Sequence, residues 1–546
     1  MRKTSFLGAA AAASLLFSPG NAAEPDRLAQ ALEGHVRFLA DDLLEGRGLG
    51  QRGHEIAARY VASQFASLGL QPAGSEGWFQ RISFAERSFS SDRETMVLTR
   101  GGRKTEWLNG KDLVMSPGNV EGAETITAPL VFVGFGLRDT SLGIDDFAGI
   151  DVRGKIVVAL SGAHPGMNSE TAAHLARTSK AVTAVQNGAV GLIQVRTFQE
   201  QGRIPFDKVA SRGRASSRSM LGPDGAPLGD GAALKVRGTL GEGAAVALFE
   251  GAPMSFQQAL EAAAKGPVKG FDLPGTLTIT RAQKIVRITS PNVLGLLPGA
   301  DPRLAQEIVL VQAHTDHIGI KADAPPGTDN IYNGAMDNAG GTATMIETAR
   351  IIASGKRPAR SILFFGTTAE ESGLLGADYW SRNPTLPIGR VVGVVNIDMP
   401  ILSCDFGDIV AFGAERSTLI APVTAAARGE GLTVSPDPQP EEAVFTRSDH
   451  YPMVRAGIPS VFLKTGHSDS KGGQTCGAAE RDFRLNRYHE LGDDLNQPFD
   501  WTAAAKFARL NTDIVRRVAN GKQRPLWYAG DYFGDSFAPT AAKAKR

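Results

Sequence analysis

The sequence predicts an α/β chain on a mostly parallel central sheet covered by helices on both faces, a three-layer αβα architecture. Three observations carry this expectation. Nearly unbroken Val/Ile/Leu/Phe runs recur between residues 307 and 464, as buried parallel strands require. Segments with apolar residues at three- and four-residue spacing alternate with those runs, which is the pattern of βα units. The 63 glycines and 30 prolines follow no period, so they read as turns and exclude a collagen-like repeat.

The elements follow in order. Arg2 and Lys3 precede an apolar run at 6–17 and a small-residue exit at Pro19, Gly20, Asn21, Ala22 and Ala23. The run of about 12 residues is far short of the ~20 that span a bilayer. Residues 1–23 are therefore expected to be an export signal, cut after Ala22 or Ala23. Without them the net charge is −1, since +1 loses Arg2 and Lys3 and no acid lies in 1–23. Residues 26–46 and 54–69 carry helical apolar spacing. The Gly48-Leu49-Gly50-Gln51-Arg52-Gly53 stretch between them follows a helix, not a strand, so it reads as an interhelical turn and not as a dinucleotide loop. The texture changes near 126, where 129–135 and 154–160 read as strands and 181–195 as helix, turn and strand. It changes again near 285. Strands are then expected at 307–313, 360–367, 390–397 and 458–464, and helices at 339–353, 373–381, 417–429 and 501–518. No further stretch is long and apolar enough to span a membrane.

Composition narrows the function. Lys+Arg 58 against Asp+Glu 57 excludes a nucleic-acid binder that relies on bulk positive charge. Two cysteines, Cys404 and Cys476, exclude a disulfide scaffold, a zinc ribbon and an iron–sulfur site. In an oxidising compartment the two could pair, though sequence separation alone does not show that they meet. A metal would have to be held by His, Asp and Glu.

In such folds functional groups gather at the carboxyl ends of strands. Here one strand end after another is loaded. His314-Thr315-Asp316-His317 follows the first strand of the second half. Met336-Asp337-Asn338 precedes a helix, Glu370-Glu371 follows the next strand, Asp398 the next, and Tyr488-His489 comes late. Clustered carboxylates repel one another, and one or two divalent cations relieve that. Two three-ligand shells sharing one acid need five residues, and His314, Asp337, Glu371, Asp398 and His489 supply that number. Asp316 lies two residues after His314, so its carboxylate is a candidate to orient the imidazole. Glu370, the spare acid beside a ligand, stands where a general base belongs.

These pieces carry a resemblance. A-H-T-D-H-I-G at 313–319, N-G-A-M-D-N-A-G-G at 333–341, T-A-E-E-S-G-L-L-G at 368–376, N-I-D-M at 396–399 and Y-H at 488–489 resemble the co-catalytic di-zinc aminopeptidases of the glutamate-carboxypeptidase and transferrin-receptor superfamily. L-E-G-R-G at 44–48, S-P-N-V-L-G-L-L-P-G at 290–299 and R-S-D-H-Y-P at 447–452 add support. The likeness covers about residues 26–520. It implies a zinc-exopeptidase-like αβα domain (24–125 and 286–525), an inserted β-rich protease-associated domain (126–285) and a tail (526–546). It also implies two zinc ions, one on His314 and Asp398 and one on Glu371 and His489, with Asp337 bridging and Glu370 as base. The implied activity is an exported, periplasmic or secreted, aminopeptidase acting on peptides.

Other readings stand beside it. A carboxypeptidase of the same superfamily would need a cationic pocket, for which Arg447 is a candidate. A receptor-like binding protein would have lost ligands. His450 and His467 compete with His489 for the last ligand position, and His317 is expected to be structural. Ser448-Asp449-His450 in an extended strand would point to opposite faces, so the segment is read as pocket lining and not as a serine triad. The basic 543–546 end is expected to be solvated.

Overall fold

The computed structural model describes residues 26–91, 93–211 and 216–546. The export signal expected at 1–23 lies outside them. In the second half, strand Ile308–His314 runs parallel between Ser361–Thr367 and Val391–Ile397. Val391–Ile397 in turn lies parallel to Ser460–Thr465. Antiparallel strands flank this parallel core: Asp408–Phe412 on one side and the end of the long strand Phe271–Leu297 on the other. The apolar runs are unbroken because both faces are buried. Val309, Val311 and Ala313 enter one core with helices Arg27–Leu39, Arg52–Ser67, Gly340–Ala353 and Trp501–Asn520. Ile308 and Leu310 enter the opposite core with Ala377, Trp380 and Met453. Alternation along each strand thus fills two layers, and the polar ends of the strands are all that is left for chemistry.

A second core is built from earlier sequence. Strands Gly122–Phe132, Ile156–Leu160, Gly191–Val195 and Val236–Leu240 lie parallel. Helices Glu242–Phe249 and Phe256–Ala263 cover one face, and Lys180–Gln186 contributes Ala184 to the other. This region is therefore itself α/β, where the resemblance implied mostly β. It also starts before the change of texture at 126. Met96, Leu98, Trp107, Leu113 and Met115 belong to its core. Their strands alternate buried with half-exposed residues, so they lack the continuous apolar run that marks the others. The strand Phe271–Leu297 joins both regions, giving Leu273, Leu277 and Ile279 to the second core and Val293 and Leu297 to the first.

Three local expectations change. The helix read through 46 ends at Leu39, and Glu45 and Gly46 turn to positive φ, which swings Arg47 into the interior. His450 opens the helix His450–Arg455 and is not in a strand. The C-terminal tail is docked: Trp527 and Phe533 are buried, Arg416 lies over Phe445 and Phe533, and Lys543 donates to the carbonyls of Gly534 and Ala538.

Cys404 and Cys476 form a disulfide, with their Cα atoms 5.5 Å apart and a sequence separation of 72. It ties the loop after Asp398 to helix Thr475–Asn486, the element that leads to His489. A crosslink over a loop of this length contributes about 2–4 kcal/mol. The double variant Cys404→Ser/Cys476→Ser is expected to lose that much unfolding free energy in a denaturant titration. Unchanged stability would contradict the clamp.

Candidate metal centre

The loaded strand ends converge. His314 Nε2 stands 3.2 Å from Asp337 Oδ1 and 3.3 Å from Asp398 Oδ1. His489 Nε2 stands 3.3 Å from Asp337 Oδ2 and 3.0 Å from Glu371 Oε2. Asp337 thus gives one oxygen to each of two donor groups. Ligands about 2.0–2.1 Å from a tetrahedral ion stand about 3.3 Å from one another, so both groups have the spacing of a coordination shell. Imidazole and carboxylate, with no thiolate, suit zinc. His314, Asp337 and Asp398 form one possible three-residue metal group, and His317, Asp337 and Glu371 another. His317 Nδ1 lies 2.6 Å from Glu371 Oε1, and its buried Nε2 has no partner. It therefore reaches the second group, a position that the sequence reading left as structural.

Main-chain geometry delivers these groups. His489 itself and Ala369 and Met399, the neighbours of Glu370 and Asp398, take positive φ, a region that non-glycine residues occupy mostly where the surroundings enforce it. A Cβ on Gly334 would stand 2.2 Å from the Asp337 carbonyl and 2.5 Å from the His317 ring, so only glycine fits there. Asn338 binds the Asp337 loop to the neighbouring strand end: its Nδ2 donates to Ile397 O, and Met399 N donates to its Oδ1. Asp493 accepts from Met336 N and Asp337 N at 2.8 and 3.0 Å. Asp398 is oriented through buried side chains, with Gln312 donating to Asn396, Asn396 to Ser448 and Ser448 to Asp398 Oδ2.

Arg47 is the largest support. Fully buried, it donates to the carbonyls of Leu39, Thr315, Asn333 and Gly334. It thereby fixes the loops carrying His314 and Asp337. The sequence held this residue only inside L-E-G-R-G, with no sign of its reach.

Charge compensation separates the carboxylates. Burial pushes Asp337, Glu370 and Glu371 upward. Hydrogen bonds from His314 and His489 nevertheless hold Asp337 well below its ordinary range. Burial and Asp337 push Glu371 up, but His317 and His489 bring it down to about 2. Glu370 has too little compensation: burial first, then Asp398, Glu371 and Asp449, drive it well above the carboxylate range against the pull of His314. Against burial, Asp337 and Glu371 hold the His489 imidazolium up to about 10. In the metal-free chain, imidazolium protons occupy the role of cations.

The remaining expected residues separate. Asp316 orients His314 through its main-chain carbonyl, 3.2 Å from Nδ1, while its carboxylate is 3.9 Å from Nδ1 and accepts instead from Glu370 N at 3.2 Å. Arg447 lines the cavity described next and pairs with Glu442 at 2.9 Å. Asp449 and His450 are not pocket lining. Asp449 is buried behind the centre, accepting from Thr367, and burial raises it to about 7. His450 is buried between Phe445 and Phe462, its ring nitrogens without partners. The helix that starts at His450 turns both inward.

A cavity of about 640 Å³ opens beside the centre, lined by Glu370, Glu371, Tyr488 and His489 and, opposite, by residues of the second region. A smaller pocket with Met399, Val444, Phe462 and Lys464 opens on Asp337, Glu370 and Asp398.

Two outcomes follow from this geometry. Arg47→Met leaves buried carbonyls without donors and is expected to lower the unfolding free energy by about 3 kcal/mol or more; a shift within error in chemical denaturation would contradict the clamp. The folded pKa of His489, about 10, lies above the unfolded value near 6.5. Its ion pairs therefore stabilise the metal-free chain fully below about pH 6.5 and fade as the pH rises toward 10. Zinc requires the neutral ring, so zinc affinity should rise across that window as fewer protons are displaced. Calorimetric titration in buffers of different ionisation enthalpy checks this, and a pH-independent affinity would count against it.

Comparison with known proteins places this arrangement. The model of peptidase family M28 matches residues 292–515. Leupeptin-inactivating enzyme 1 of Streptomyces exfoliatus is 28% identical over 248 residues, 42% of this chain and 49% of that protein. The "Probable zinc metalloprotease" of Pyricularia oryzae is 31% identical over 297 residues, 49% of this chain and 55% of its own length. The chain thus spans about half the length of these curated relatives. Among solved structures, the aminopeptidase from Aneurinibacillus sp. strain AM-1 superposes with a TM-score of 0.50 at 20% identity, covering 92% of this chain and 97% of that one; this likeness is one of fold. His314, Asp337, Glu370, Glu371, Asp398 and His489 all fall inside residues 292–515, the segment that is similar to peptidase family M28.

Proposed function

We propose that the chain is an exported zinc-dependent aminopeptidase that removes N-terminal residues from peptides, with Glu370 as general base. The observation that carries this reading is the division of Asp337, one oxygen toward His314 and Asp398 and the other toward His489 and Glu371. His314 and Asp398 would hold one zinc ion, Glu371 and His489 the other, and Asp337 both. Bound zinc supplies Lewis-acid polarisation of a carbonyl and makes water more acidic.

The chain's own groups do the rest. Glu370 lines both the large cavity and the small pocket. Its raised carboxyl is suited to take a proton from attacking water and return it to the leaving amine. Asp316 positions it by accepting from its main-chain N–H. The small pocket beside Asp337 and Asp398 is placed to receive the first side chain of the substrate. Arg447, the candidate carboxylate receptor of a carboxypeptidase, is already engaged by Glu442, which favours the aminopeptidase. We read the region with the second core as the family's inserted domain, here beginning near residue 95, because its residues form the far wall of the cavity. Export is supported by the basic, apolar and small-residue start of the sequence and by the Cys404–Cys476 disulfide, which belongs to oxidising compartments. Among the described residues no helix is long and apolar enough to cross a membrane.

A panel of aminoacyl chromophores, with and without chelator, tests the activity. Chelator-sensitive release is expected, with C-blocked dipeptides cleaved and N-blocked ones refused; the reverse preference would establish the carboxypeptidase, and no release at all would overturn the enzyme. Glu370→Gln should keep its zinc and lose about 10²–10⁴-fold in kcat. Normal turnover by that variant would remove Glu370 from the role.

A further inference from the structure

The large cavity is lined both by Glu370, Glu371 and His489 of the metal centre and by a set of basic side chains. Its volume, about 640 Å³, is one that encloses a small organic ligand. The arginines lining it divide into two sets. Arg218, Arg281, Arg447 and Arg455 are each paired with a carboxylate, of Glu86, Glu124, Glu442 and Asp230. Arg87, Arg177 and Arg237 have no carboxylate partner among the described residues.

Arg87 is the decisive one. It is 7% exposed. Its Nη1 donates to Asn119 Oδ1, and its buried Nε meets no acceptor among the described residues. Burial first, then the nearby cations Arg237 and Arg281, press its guanidinium below its ordinary range. Arg237 donates to the main-chain oxygens of Asp230 and Gly231. Ser219 Oγ, also on the cavity wall, is buried without a partner among the described residues. It belongs with Arg87: strands Phe79–Phe89 and Ser217–Leu221 pair Arg87 with Ser217 and Ala85 with Ser219, so Arg87 and Ser219 are diagonal neighbours on one face. Arg177 and Arg237 both also line an adjoining cavity of about 260 Å³, which puts them on a shared wall. A buried guanidinium without a counter-charge is costly, and an anion that accepts from it removes the cost.

We propose that Arg87, Arg177 and Arg237, with the Ser219 hydroxyl, form a carboxylate-binding subsite, and that the substrate is a short peptide with a carboxylate here and its scissile bond at the metal centre. This rests on the peptidase reading of the same cavity. The carboxylate is the free C-terminus or an acidic side chain, and the cluster would restrict the enzyme to peptides short enough to place both ends.

The test compares three substrates on the full zinc-loaded chain: trialanine, trialanine amide, and Ala-Ala-Glu amide. Trialanine is expected to show a KM about tenfold or more below that of the amide with kcat little changed, the loss of a charge-assisted hydrogen bond. Arg237→Gln should abolish the difference while cleaving an aminoacyl chromophore, which has no carboxylate, at the wild-type rate. If that variant does not fold, Arg177→Gln serves in its place. Calorimetric binding of the same peptides to Glu370→Gln protein should rank them alike. Recovery of affinity by Ala-Ala-Glu amide assigns the subsite to side chains, and its absence beside tight trialanine assigns it to the C-terminus. Equal KM and affinity for all three would overturn the subsite. Loss of chromophore cleavage in the wild type would instead overturn the aminopeptidase reading, and cleavage of N-acetyl-trialanine but not of the amide would leave the subsite standing and reverse the polarity of the enzyme.

Discussion

Mutual repulsion among carboxylates, gathered at one edge of an otherwise apolar sheet, is the constraint on which the site depends. Asp337, Glu370, Glu371 and Asp398 meet where strands that are apolar on both faces run out. Like charges at such distances in a poorly solvated place cannot all ionise unless cations stand among them. In the metal-free chain His314 and His489 provide that charge as imidazolium. The same oxygens and ring nitrogens stand at the spacing of two tetrahedral shells sharing one acid. Metal affinity and the fold of the loops are in this sense one problem, because ligands that repel must be held by something other than one another.

That holding is distributed. Arg47 fixes the loops of His314 and Asp337 from below, Asp493 takes the main-chain N–H groups before and at Asp337, and Asn338 ties the Asp337 loop to the strand end bearing Asp398. The disulfide secures the approach to His489. Beside the strongly compensated Asp337 and Glu371, Glu370 is left with little compensation. The general-base role proposed for it needs that property, which arises from burial and then from the neighbours that repel it. Elsewhere on the lining of the cavity the imbalance has the other sign, with Arg87, Arg177 and Arg237 lacking a carboxylate partner among the described residues.

Much of the second half was legible in the sequence, because burial on both faces writes a continuous apolar run and the chemistry must then sit where the run stops. Ile308–His314, Ser361–Thr367 and Val391–Ile397 lie within a residue or two of where the runs predicted them. The strands between 79 and 115 were not legible, since each shows one face to the core and leaves the other half-exposed. Asp449 and His450 were misplaced for a related reason. A helix begins at His450, and an extended reading could not show that both side chains turn into the interior. Arg47 and Arg87 act through contacts hundreds of residues away or across strands, which no local pattern carries. His317 stood next to a recognised ligand, but only the tertiary fold brings it against Glu371, 54 positions on.

Zinc titration of the chelator-stripped chain, followed by elemental analysis of the loaded protein, tests the shared carboxylate most directly when wild type and Asp337→Asn are compared. The expected result is two zinc ions per wild-type chain and weakened binding at both positions in Asp337→Asn, because each imidazole group loses its oxygen. A wild-type chain that holds a single ion, or an Asp337→Asn chain that keeps one site at full affinity, would contradict a centre in which Asp337 serves both groups.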